Sequence, residues 1–127
     1  MQITTPTADA LNRYLDLSSL ELKLTAQNMA NVDTPGYQTV GFDFAAEMSH
    51  SMDTLNQQDR NETGAELMAE ARIGPVDGLL ERPDGNNVSM DHEGMKMAEA
   101  QLQFRTGVEL LKHEFTRVMD AIHEDQK

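Results

Sequence analysis

Two stretches of the chain repeat apolar residues at helical spacing, and they stand at its opposite ends. Over residues 8–32, Leu11, Leu15, Ser18, Leu22, Thr25, Met29 and Val32 follow alternating steps of four and three. That is the heptad-like stripe of a helix with one packed face. Pro6 and Thr7 suit a helix start, and Asp9 sits in the first turn, near the positive end of the dipole. A second apolar set, Leu17, Leu20 and Leu24, falls on a different face at about 100° per residue. Asn12, Asp16, Lys23 and Gln27 occupy the remaining gap. One partner helix covers one stripe, so two stripes predict two or more neighbours.

The second stretch is longer. Met90, Gly94, Met97, Gln101, Phe104, Val108, Leu111, Phe115, Val118 and Ile122 keep the same alternation across residues 89–124. They predict a helix about 54 Å long, more than a domain of this size can enclose. Asn87 or Ser89 can cap it, with Asp91 and Glu93 in its first turn. Gly107 costs roughly 1 kcal/mol inside a helix. It either permits a close backbone approach or is merely tolerated, and the sequence leaves both open. Glu124 and Asp125 oppose the dipole, so the last residues should fray.

Between them the pattern breaks. Pro35 disfavours helical geometry at Thr34, and Pro35-Gly36 suits the centre of a type II turn, so the first helix should stop within residues 31–37. Phe42, Phe44, Ala45, Met48, Met52 and Leu55 predict a short amphipathic helix, and residues 56–66 a polar loop. Gly74-Pro75, Asp77-Gly78 and Pro83-Asp84-Gly85 are turn signals. Val76 and Leu79-Leu80 between them allow a short hairpin at most. The fold class expected is mainly α: two long terminal helices packed as an antiparallel coiled coil. An irregular acidic segment with at most a short helix and a small β-hairpin joins them. The chain divides as 1–37, 38–88 and 89–127 within one structural unit.

Charge follows the same division. The net charge is −12. Residues 1–42 carry four acids and two bases, and residues 94–127 six acids and five bases. Residues 43–93 carry twelve acids against Arg60, Arg72 and Arg82. A polyanionic middle repels phosphates, so nucleic acid is not an expected partner. Aromatic residues make up 5% with no Trp, which argues against a dense core, and nine Met suggest adaptable apolar surfaces. No Cys is present, which rules out disulfides, thiolate metal sites and thiol catalysis. The first residues show no basic region followed by an apolar run, so no cleavable secretory signal is expected. No membrane span is expected either, because no run approaches 18 apolar residues.

A search for chemistry finds little. His50, His92, His113 and His123 have no zinc-binding spacing. The stretch Asp84–Met95 has two calcium-loop positions, Asp84 and Asn86, but Ser89 stands at the sixth position and Met95 at the twelfth. No phosphate-binding glycine motif is present. The carboxylates lie in polar, turn-rich sequence without the apolar setting that acid–base catalysis needs. Asn61-Glu62-Thr63 and Asn87-Val88-Ser89 match a glycosylation sequon that arises often by chance. No catalytic, cofactor or metal residue is assigned, and no enzyme is expected.

Two blocks carry a family likeness. Residues 26–37, with Asn28, Asn31, Thr34, Pro35, Gly36 and Tyr37, resemble the N-x-A-N-x-x-T-P-G-Y signature of bacterial flagellar rod and hook proteins. Asp84, Gly85, Asn86, Asn87 and Val88, leading into Ser89–Glu93, resemble the block that opens the C-terminal helix in proximal rod subunits of that axial family. Gly94 stands where similar proteins continue without glycine, and residues 50–80 match no part of the pattern. The resemblance implies a structural rod subunit without cofactors, exported through the flagellar type III apparatus without signal cleavage and assembled in the periplasm. It implies the other rod proteins, the inner-membrane ring with its adaptor, and the export apparatus as partners. The subunit interface then falls on Leu11, Leu15, Leu22, Met29 and Val32, on Leu17, Leu20 and Leu24, and on Met97, Phe104, Val108, Leu111, Phe115, Val118 and Ile122. Two other readings remain: a neighbouring rod subunit, or a soluble coiled-coil binding or chaperone module, which has no reason to carry both blocks.

Overall fold

The computed structural model describes residues 5–58 and 70–124. Helix α1 runs Pro6–Ala30, α2 Phe44–Gln58 and α3 Met90–Glu124. Strand β1, Val40–Gly41, pairs antiparallel with β2, Gly74–Pro75, in the register Val40 to Pro75 and Gly41 to Gly74. The mainly helical class stands. The hairpin expected near Val76 and Leu79-Leu80 does not. The pair instead joins segments on either side of α2, because Val76 N–H donates to Thr39 O at 2.9 Å and extends β1's edge rather than folding back on its own turn.

Local chemistry sets the helix boundaries. Thr5 caps α1, its hydroxyl accepting from Ala8 N–H at 3.1 Å, and Pro6 holds the first position, where its missing N–H costs nothing. The helix therefore starts two residues before the apolar stripe implies, and it ends at Ala30 with Asn31 as its C-cap. Asp43 caps α2 through Ala46 N–H at 2.9 Å, and Ser89 caps α3 through His92 N–H at 3.4 Å. Residues 56–58, expected as loop, continue α2. The rest of that loop, the Asn61 sequon and Asp125 lie outside the described residues.

α1 and α3 lie side by side in opposite directions. Four pairings fix the register: Thr5 with Glu114, Leu15 with Gly107, Glu21 with Lys96, and Asn28 with Glu93. The first is a hydroxyl-to-carboxylate bond of 2.9 Å, the third an ion pair of 2.9 Å. At about 1.5 Å per residue α3 is some 15 Å longer than α1. α2 crosses α1 near its first half, where Arg13 Nε donates to Ser51 Oγ at 3.1 Å. Nearby, the Tyr14 ring meets the edge of Phe44 at 5.4 Å between centroids. Burial, and after it the Glu99 charge, pushes the Tyr14 phenol above its ordinary 10.

The core is small and polar. Among the described residues only Ala8, Leu17, Leu24, Val88 and Ala100 are buried apolar side chains, against eleven buried polar or charged ones. On α3 the buried line is Glu93, Ala100, Gly107 and Glu114, each seven residues from the last. On α2 it is Glu47, Ser51 and Thr54. Both helices thus turn small or polar residues inward, and most of their larger apolar residues are left half-buried or exposed. No described helix is long and apolar enough to cross a membrane.

Candidate assembly site

The two motif blocks, some fifty residues apart in sequence, form one hydrogen-bonded clasp. The first closes a turn in which Tyr37 N–H reaches Thr34 O at 3.2 Å and Gly36 takes φ +73°, as a type II turn requires. The second holds Gly85 at φ +83°. A Cβ on Gly85 would stand 3.3 Å from Gly36 Cα, so the missing side chain of Gly85 lets the turns touch, while Gly36 is needed for its positive φ. Gly36 N–H donates to Asp84 O at 2.9 Å, and Asn87 N–H to Tyr37 O at 3.3 Å.

Asn86, fully buried, does the capping. Its amide donates to Asn31 O at 2.9 Å and to Thr34 O at 2.8 Å, while its carbonyl accepts from Val88 N–H at 2.8 Å. Each of these carbonyls already accepts one N–H of the turn, Thr34 N–H on Asn31 O and Tyr37 N–H on Thr34 O, so Asn86 adds a second bond to each from the other block. The Arg82 guanidinium donates to Val32 O. Asn87 accepts from Thr39 N–H at 2.7 Å and donates to Gln38 Oε1 at 2.9 Å, and Gln38 reaches Gly85 O at 2.6 Å.

Asn28 joins this clasp to the helix pair. Its amide nitrogen donates to Val40 O at 2.8 Å and Glu93 Oε2 at 3.0 Å. Its oxygen accepts from Val40 N–H and the Tyr37 hydroxyl, both at 3.1 Å. All four of its hydrogen-bonding positions are used. The motif residues Asn28, Asn86, Asn87 and Val88 are buried, Asn31, Tyr37 and Gly85 half-buried, and Thr34, Pro35, Gly36 and Asp84 exposed. Sequence reading finds the motif, with Glu93 at the end of its second block, but not Gln38, Thr39 or Arg82 as members of the clasp. Gln38 and Arg82 act through their side chains and Thr39 through its backbone, across dozens of residues, and no local spacing announces them.

The apolar stripes lie elsewhere. Leu17 and Leu24 are buried inside the chain, and Leu11, Leu15, Leu20, Leu22, Met29 and Val32 are half-buried. On α3, Met97, Val108, Leu111 and Val118 are half-buried, while Phe104 is 38% exposed, Phe115 56% and Ile122 45%. Met119, outside the predicted stripe, is exposed among them. This strip lies about 70° round α3 from the Glu93–Ala100–Gly107–Glu114 line. On α1 the line through Tyr14, Glu21 and Asn28 meets α3, and Leu11, Leu15, Leu22 and Met29 flank it by a similar angle, Leu15 close enough to pack on Gly107.

Because the helices are antiparallel, both strips fall on the same side of the pair. The opposite side is occupied. There an open groove of about 690 Å³ is lined by Phe42, Phe44 and Val76 on one wall and Lys96, Glu99 and Gln103 on the other. The free side is thus a broad apolar strip spread over two helices and rimmed by polar residues, the character of an interaction surface. Among the described residues, no group of three His, Asp or Glu side chains is placed to hold a metal.

Gly107 makes the arrangement possible. A Cβ there would lie 2.8 Å from Leu15 Cδ2 and 3.0 Å from Tyr14 Cδ1. Of the two readings open in the sequence, the close approach is the one observed.

No family model matches the chain. Curated proteins do. The flagellar basal body rod protein FlgB of Salmonella typhimurium is 32% identical, over 85% of this chain and 86% of its own length. That of Escherichia coli is 30% identical over the same shares, and that of Borrelia hermsii 28% identical over 93% and 96%. These are names of a structural component and not of an enzyme. With the clasp built from the two blocks that carry the likeness, the chain belongs to the FlgB family of flagellar basal body rod proteins.

Proposed function

We propose that the chain is a self-assembling subunit of the proximal drive shaft, joined to its neighbours through the apolar strips of its terminal helices. One observation carries the reading. The face that α3 turns to α1 is built from small and polar residues, while Phe104, Phe115, Met119 and Ile122 of the same helix stand uncovered beside it. A solitary helix pair gains by placing such side chains in its own seam. Leaving them outside is favourable when another molecule covers them, at about 25 cal/mol per Å² of apolar area before ordering costs are subtracted.

In this reading the antiparallel pair acts as a coiled-coil element of the tube's inner layer, and the acidic residues 38–88 face outward. The near-neutral helices can approach one another without strong repulsion, whereas the acidic middle cannot. The partners are the other rod proteins and, at the proximal end, the inner-membrane ring and its adaptor. The subunit reaches the periplasm through the flagellar export apparatus without signal cleavage. The contacts must be heterologous and non-closing, unlike those of a discrete coiled-coil regulator.

The test is mass spectrometry of hook–basal bodies purified from the source bacterium, wild type and carrying Phe104→Asp with Phe115→Asp. The wild-type chain is expected in intact particles and the double variant absent from them, although the variant is exported. A wild-type chain missing from intact particles would overturn the assignment, and a variant that assembles normally would overturn the interface.

A further inference from the structure

Beneath the clasp lies a cavity of about 10 Å³, at the lower limit of what one water molecule needs. Its polar lining comes from Glu21, Thr25, Asn28, Glu93 and Lys96. Glu93 is 1% exposed. One of its oxygens accepts from Asn28, and the other, Oε1, meets no donor of the protein. His92 Nδ1, itself buried without a partner, stands 3.6 Å from it, beyond hydrogen-bonding reach. Asn28 has nothing further to give, because its amide is fully used. A carboxylate buried without a cation is strongly disfavoured, yet Glu93 occupies the junction of the clasp and the helix seam.

The cation on the same cavity wall is Lys96, one turn further along α3. Its ammonium bonds Glu21 Oε1 at 2.9 Å and carries two more protons. We propose that the cavity is a binding site for a single ordered water. The water accepts from Lys96 Nζ and donates to Glu93 Oε1, with its second proton directed to the Glu21 carboxylate. Glu93 then receives its counter-charge through the water instead of by direct contact. The lining chemistry selects this ligand. A metal cation would stand against the Lys96 ammonium, an anion would face two carboxylates, and a neutral molecule that both donates and accepts suits both. The site ties the clasp to α3 independently of how the subunits assemble.

Two measurements test it. In a crystal structure of the whole chain at atomic resolution, grown with rubidium chloride, one peak of water strength is expected within hydrogen-bonding distance of both Lys96 Nζ and Glu93 Oε1. No anomalous rubidium signal should accompany it. A rubidium peak there, or no density at all, overturns the proposal.

The second is a double-mutant cycle by urea unfolding, run in a Glu21→Gln background so that the direct ion pair is absent throughout. Lys96→Met is expected to lower the folding constant about tenfold with Glu93 present and less than about twofold beside Glu93→Gln. Equal effects in the two backgrounds would show that Lys96 and Glu93 are not linked.

Discussion

The clasp and the helix shafts of this molecule solve opposite problems. In the clasp, polar residues are buried and nearly every donor and acceptor is paired: Asn86 alone serves Asn31 O, Thr34 O and Val88 N–H. Along the shafts, apolar residues are exposed and the seam is lined by Glu93, Ala100, Gly107 and Glu114. The clasp is complete within one chain, whereas the shafts have apolar surface left over. Specificity of fold is therefore concentrated at one end of the helix pair, and capacity for association is spread along its length.

Substitutions should separate the two regions. Asn86→Leu strips the clasp of its bridging amide: Val88 N–H loses its acceptor, and Asn31 O and Thr34 O each keep only the turn N–H that already bonds them. It is expected to cost about 3 kcal/mol in urea unfolding. Gly107→Leu attacks the shafts where they approach most closely, and overpacking there should cost about 2 to 3 kcal/mol.

Glu47→Gln probes the contact between α2 and the segment before β2. Burial raises the Glu47 carboxyl's affinity for its proton, but Arg72 outweighs this through hydrogen bonds from its N–H and its guanidinium. The Arg72 and Arg13 charges add to that, so the group titrates below its ordinary 4.5. A lowered folded value means stability that is present in full above about 4.5 and lost as the pH falls through the folded value. Wild type should exceed the variant by about 0.5 kcal/mol at neutral pH, a modest figure because Arg72 is largely exposed. The difference should vanish well below 4.5.

Phe115→Asp should change the stability of the isolated chain least, by under about 0.5 kcal/mol, while abolishing incorporation into rods. If it instead unfolded the monomer, the contrast between a self-sufficient clasp and an unsatisfied shaft would be lost.

The sequence made the long helices legible, since periodicity over 89–124 and 8–32 places α3 and α1 within two residues. It did not locate the seam. Hydropathy draws the eye to large apolar side chains, so Phe104, Leu111 and Phe115 read as subunit interface and no residue is marked for the contact between the two helices. Close antiparallel approach instead selects Ala100 and Gly107, and it tolerates Glu93 and Glu114 because Asn28 and Thr5 meet them. The motif was visible in sequence, but its work was not. Asn86 reads as a turn residue until the carbonyls of Asn31 and Thr34 are found beside it. The strand pair was misread for the same reason, since Val40 and Pro75 meet across the whole of α2.

The meeting of Gly36 with Gly85 also bears on how such a protein can diverge. Gly36 N–H to Asp84 O and Asn87 N–H to Tyr37 O pin the departure and return of the intervening chain side by side. Extra residues placed between those points leave the geometry of the pinned ends unchanged. They add a closure cost that grows only with the logarithm of length, about 0.6 kcal/mol for each doubling. A lineage can therefore lengthen or shorten the segment between those points while the α1–α3 pair keeps its register.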